Sequence, residues 1–67
     1  MVKFEICETA DSGIGCRVYR IIRDNTGRIW DPLRLSFMGY SKKEALRILR
    51  EILRKKTGEK TIYLEII

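Results

Sequence analysis

Histidine and glutamine are missing from this 67-residue chain, asparagine and proline occur once each, and cysteine occurs twice. Each shortage closes off a class of function. Without histidine the commonest general base and the commonest metal ligand are gone. Cys7 and Cys16 alone do not complete a four-ligand zinc site within one chain. No apolar run approaches the roughly 18–20 residues needed to span a bilayer. The N-terminus lacks the basic-then-apolar pattern of a signal peptide, which predicts a cytoplasmic protein with no membrane partner. Gly13, Gly15 and Gly27 sit in turn segments with no Gly-Lys-Ser/Thr after them, so they make no phosphate loop. The carboxylates Glu5, Glu8, Asp11, Asp24 and Asp31 form no recognisable acid/base spacing. The expectation is a non-enzymatic protein without metal or cofactor.

What is present is a single short domain, residues 1–67, with 45% hydrophobic residues, which rules against disorder. A chain this small buries a modest core. Abundant Ile, Arg, Lys and Glu beside so little Asn and Gln is the composition thermophiles favour. The net charge is +5 and unevenly placed. Residues 41–60 hold eight basic residues against three acidic ones, while the rest of the chain carries six of each sign. The whole field therefore belongs to one segment, and a localised positive field points to an anionic partner.

Val2-Lys3-Phe4-Glu5-Ile6 alternates as a half-buried strand does. A second strand follows over Arg17 to Arg23. Asp11-Ser12-Gly13 and Asn25-Thr26-Gly27 both read as three-residue turns with Gly in the left-handed position. These turns predict a register in which Ile6 faces Val18, Val2 faces Ile22, Asp24 faces Arg28 and Ile22 faces Trp30. One sheet face then collects Val2, Phe4, Ile6, Val18, Ile22 and Trp30, with Arg20 as an anomaly among them. Cys7 and Cys16 fall on opposite faces and are expected to be free thiols. Asp31-Pro32 interrupts the third strand as a bulge would, and Leu33, Leu35 and Phe37 resume it with inward parity shifted by one.

Ser41-Lys42-Lys43-Glu44 is a capping box, Ala45, Leu46, Ile48, Leu49, Ile52 and Leu53 form one apolar stripe, and Gly58 suits a helix C-terminus. A helix is expected over 41–57 and a last strand over 61–67, beside the first. The fold class is α+β: a small antiparallel sheet of three to four strands with one amphipathic helix packed on one face, in the order β-β-β-α-β.

Two surfaces could recognise a partner. Lys43, Arg47, Arg50 and Arg54 recur at i, i+4, i+7 and i+11 and form a line opposite the apolar stripe, able to track nucleic-acid phosphates. A plain solvated face is the bland alternative. On the open sheet face, Arg17, Tyr19 and Arg23 resemble a stacking platform for single strands. That face, with Tyr19, Ile21 and Ile29, would otherwise be covered by a homodimer or a partner protein.

The run Asp24-Asn25-Thr26-Gly27-Arg28-Ile29-Trp30, then Gly39-Tyr40-Ser41 and Glu44-Ala45, resembles the three-strands-then-helix layout of integrase arm-type and plant ethylene-response-type DNA-binding domains. Those domains read DNA with their sheet, so the resemblance implies Arg17, Tyr19 and Arg23 as contacts. The extra last strand and the short spacing from Trp30 to Glu44 depart from that pattern. The order of elements, with Gly39 and Ser41-Lys42-Lys43-Glu44-Ala45-Leu46 opening the helix, is also similar to HicB-type antitoxins, which implies dimers and a partner protein. Here the helix is far more basic than theirs, and no family is assigned. The expectation is a small basic module binding DNA or RNA through backbone phosphate, with a protein-interaction or dimerisation module as the alternative.

Overall fold

The computed structural model describes residues 1–11 and 15–67. Strands β1 (Val2–Asp11), β2 (Cys16–Asp24) and β3 (Arg34–Met38) precede helix α1 (Lys42–Thr57), and β4 (Ile62–Ile66) follows it. They form one four-stranded sheet in the order β3-β2-β1-β4. This is the expected α+β fold and element order, with the last strand beside the first. The sheet is mixed rather than antiparallel, because β1 and β4 run parallel. The cause is topological: β3 runs with β1, the single helix reverses the chain along the sheet, and β4 must then run with β3.

The helix begins and ends where its local chemistry directs. Ser41 sits at the N-cap, and its Oγ accepts from Glu44 N–H at 3.2 Å. Gly58 adopts φ 75°, a left-handed conformation open to glycine without a Cβ penalty, and its N–H donates to the Arg54 carbonyl at 2.7 Å. Ala45, Leu49 and Leu53 turn inward to share one core with Phe4, Ile6, Tyr19, Ile21, Phe37 and Ile62.

The first hairpin corrects the expected register. Ile6 faces Ile21, not Val18, and Glu8 faces Tyr19. Pairing begins at Asp11 and Cys16, and Gly15 takes the left-handed conformation at φ 67°. The turn expected at Gly13 lies outside the described residues. An odd displacement turns β2 over, and burial explains the preference. Tyr19 and Ile21 enter the core fully buried, and Arg20 goes to solvent. Filling the core with two large side chains contributes about 1.5–3 kcal/mol each, whereas the expected register would have put a guanidinium among them. Arg20 is anomalous in the expected register because that register turns β2 the wrong way up. Both cysteines consequently lie on the open face as free thiols, with Cys7 paired to Arg20 and Cys16 to Asp11 rather than separated by the sheet.

Near its end β2 turns back. A bulge between the Glu5 and Ile6 pairs inserts Ile22, so that Asp24 faces Phe4 and Arg23 faces Glu5. From there the second hairpin has the expected register. Asp24 N–H donates to the Arg28 carbonyl at 3.0 Å, Trp30 N–H to Ile22 at 2.9 Å, and Gly27 has φ 91°. The Asp24 carboxylate is buried and accepts from Thr26 N–H at 2.8 Å, Thr26 Oγ1 at 2.5 Å, Arg28 N–H at 3.2 Å and Trp30 Nε1 at 2.9 Å. Trp30 packs edge-on to Phe4 at 5.3 Å, as core, with Arg28 3.9 Å above its ring. The chain then breaks at the cis Asp31–Pro32 bond and resumes with Arg34 opposite Arg20 and Phe37 inward, as the bulge and parity change predicted.

Candidate functional site

Since Ala45, Leu49 and Leu53 fix the buried side of α1, the opposite side is set by helical periodicity. Lys43 and Arg47 are exposed there, while Arg50 and Arg54 are half-buried on its flank. At 1.5 Å per residue the four span about 16 Å of helix axis. Among the described residues, no carboxylate lies within ion-pair distance of Lys43, Arg47 or Arg50. Arg54 differs: its Nη1 pairs with Glu51, and its Nε is buried without a hydrogen-bond partner. The line is thus three unpaired cations and a fourth that is partly engaged.

The open sheet face carries cations of the same kinds under different conditions. Lys3 Nζ lies 2.8 Å from Glu65, Arg23 Nε reaches both Glu5 oxygens at 3.0 and 3.1 Å, and Arg20 Nε lies 3.1 Å from Asp31. The hydrogen bond to Glu65 holds the Lys3 ammonium above its ordinary pKa, and the hydrogen bond to Glu5 does the same for Arg23. Arg34 is exposed beside them.

The three sheet residues expected as contacts do not come together. Arg23 lies on the open face, delivered there by the bulge. Tyr19 is fully buried on the helix side, where its hydroxyl donates to Glu8 Oε2 at 2.5 Å. Burial, with that hydrogen bond second, pushes its pKa up to about 12. Arg17 shares that side, with Nη1 3.9 Å from the same Glu8 oxygen, and Lys42 Nζ reaches the other oxygen at 3.9 Å. A stacking platform of Arg17, Tyr19 and Arg23 is therefore not formed. Of the apolar residues expected on the open face, Tyr19 and Ile21 are inside, whereas Ile29 is exposed. The residues missed on that face are Arg20 and Arg34, and the misfit of Arg20 in the expected register was the signal that could have found the first of them.

Among the described residues, no group of three or more His, Cys, Asp or Glu side chains is placed to hold a metal ion. No helix is long and apolar enough to cross a membrane. No protein-family model, curated protein or solved structure matches the chain.

Proposed function

We propose that this chain is a non-enzymatic nucleic-acid-binding module that contacts backbone phosphate through the outer face of α1. Lys43, Arg47 and Arg50 make the contacts, and Arg54 contributes once Glu51 releases it. One observation carries the reading: within the segment that holds the whole net charge of +5, three cations in one line have no carboxylate partner among the described residues. A cation already paired gains little by exchanging one anion for another, whereas an unpaired one releases phosphate counterions in full. Phosphate contacts carry no sequence information in themselves, so binding through them is insensitive to sequence.

The test is a salt titration of affinity for mixed-sequence duplex and single-stranded oligonucleotides between roughly 50 and 200 mM salt. The logarithm of the affinity should fall linearly, with a slope of about −2 to −3 for duplex if three phosphates are neutralised. Reversing the charge at Lys43, Arg47 and Arg50 together should abolish the slope and the binding. Unchanged affinity in that variant, with thermal unfolding preserved, refutes the reading.

A further inference from the structure

The sheet ends on two edges of different character. β3 follows Pro32 and carries the exposed Arg34 at its first position, and both features discourage addition of another strand. β4 has neither. It reads Ile62-Tyr63-Leu64-Glu65-Ile66, with Tyr63 55% and Ile66 41% exposed. Its ends fix the direction of its backbone groups. The Thr61 carbonyl accepts from Val2 N–H at 3.2 Å, and Ile67 N–H donates to the Ile6 carbonyl at 2.9 Å, so the odd-numbered residues turn toward β1. By the alternation of a strand, the N–H and C=O of Ile62, Leu64 and Ile66 turn the other way, to an edge that no described strand occupies.

We infer that this edge pairs with the same edge of a second copy, antiparallel about a two-fold axis at Leu64. That register sets Leu64 opposite its twin and Ile62 opposite the partner's Ile66. Every outward-turned residue then falls in a pair that exchanges two hydrogen bonds. On the other face Tyr63 meets the partner's Glu65, so no like charges meet. Burial along β4 falls from 6% exposure at Ile62 to 41% at Ile66, and pairing lays the uncovered end of each strand beside the covered end of the other. A two-fold contact consumes the edge on each copy, so assembly closes at two. Directly opposed residues share a sheet face, which puts both helices on one side and aims their cationic lines the same way. The pairing stands on strand geometry and is independent of the phosphate reading.

Sedimentation equilibrium of the 67-residue chain from about 1 μM to about 1 mM tests it. A monomer–dimer equilibrium with no larger species is expected. Tyr63→Glu sets a carboxylate against the partner's Glu65 and should weaken the dimer about tenfold, whereas Tyr63→Lys should strengthen it several-fold. Ile66→Pro deletes an outward N–H without removing a bond to β1, and should leave a monomer whose circular dichroism is unchanged. A strict monomer, growth beyond a dimer, or two Tyr63 variants that shift in the same direction would overturn the inference.

Discussion

Arginine and lysine populate both outward surfaces, yet the two surfaces differ in what stands beside each cation. On the open sheet, neighbouring strands place residues about 5 Å apart, and Glu5, Asp31 and Glu65 fall beside Arg23, Arg20 and Lys3. On the helix, neighbours on one face come three or four positions apart; Glu44 and Glu51 stand at such positions from Arg47 and Arg54, yet among the described residues only Arg54 of the line is paired, with Glu51. The same side chains are therefore neutralised in one place and left exposed to an outside anion in the other. Counting basic residues does not separate a phosphate-binding surface from an ion-paired one; the position of the carboxylates does.

The largest expected effect breaks this comparison directly. Lys43→Glu, Arg47→Glu and Arg50→Glu in one variant should lower oligonucleotide affinity at least 100-fold, read by fluorescence polarisation at low salt. The matching variant of the sheet, with Arg20, Arg23 and Arg34 changed to Gln, should lower it less than about threefold, since two of those three are already paired. Equal losses would mean that intramolecular pairing does not withhold a cation from phosphate.

The next effect concerns how the faces are kept apart. Asp24 returns β2 to register after the bulge, and so holds Arg23 opposite Glu5. Burial of its carboxyl works against the charge, but hydrogen bonds from Thr26, Trp30 and Arg28 outweigh it and keep the pKa below its ordinary value. A depressed folded pKa gives stability that is complete above the ordinary aspartate range. It is lost as pH falls through the folded value. Asp24→Asn should cost about 2 kcal/mol at neutral pH and flatten the fall in stability below about pH 4, measured by urea unfolding followed by Trp30 fluorescence.

How much could be read beforehand follows the range of the interactions. The helix was legible in full, because the Ser41 cap, the Leu49 and Leu53 stripe and Gly58 act within a turn or two of each other. The second hairpin was legible for the same reason: Asp24 and Gly27 close it locally. The first hairpin was not. Its register is decided by which β2 residues fill the core shared with Ala45, Leu49 and Leu53, residues distant in the chain, and Tyr19 and Ile21 outweighed a turn motif. The cationic line was legible because it rides on the helix. The sheet contacts failed because they inherited the register, and Tyr19 went inside with it.

Tyr19 itself provides a smaller test. Tyr19→Phe should cost about 1 kcal/mol by removing the hydrogen bond to Glu8. It should also abolish a tyrosine absorbance step near pH 12. A raised folded pKa means stability that is complete below about pH 10 and drains as pH rises toward 12. The phenylalanine variant should lack that alkaline loss. An unchanged titration would return Tyr19 to the open face, and with it the stacking platform.

The smallest effect sharpens the comparison by running it in reverse. If carboxylates are what silence the sheet, then Glu5→Gln, Asp31→Asn and Glu65→Gln together should release Lys3, Arg20 and Arg23 without adding a single cation. These pairs are exposed enough that each stabilises the fold by only about 0–1 kcal/mol, so the variant should stay folded. Its affinity for oligonucleotide should rise several-fold, and its salt slope should steepen by about one unit or more, because phosphates on the sheet side now displace counterions as well. Adding the helix charge reversal to this variant removes the unpaired line from α1 and leaves the released cations on the sheet. Residual binding there would show that placement of acidic partners decides which face is active, whereas its absence would mean that the helix geometry matters beyond its charge.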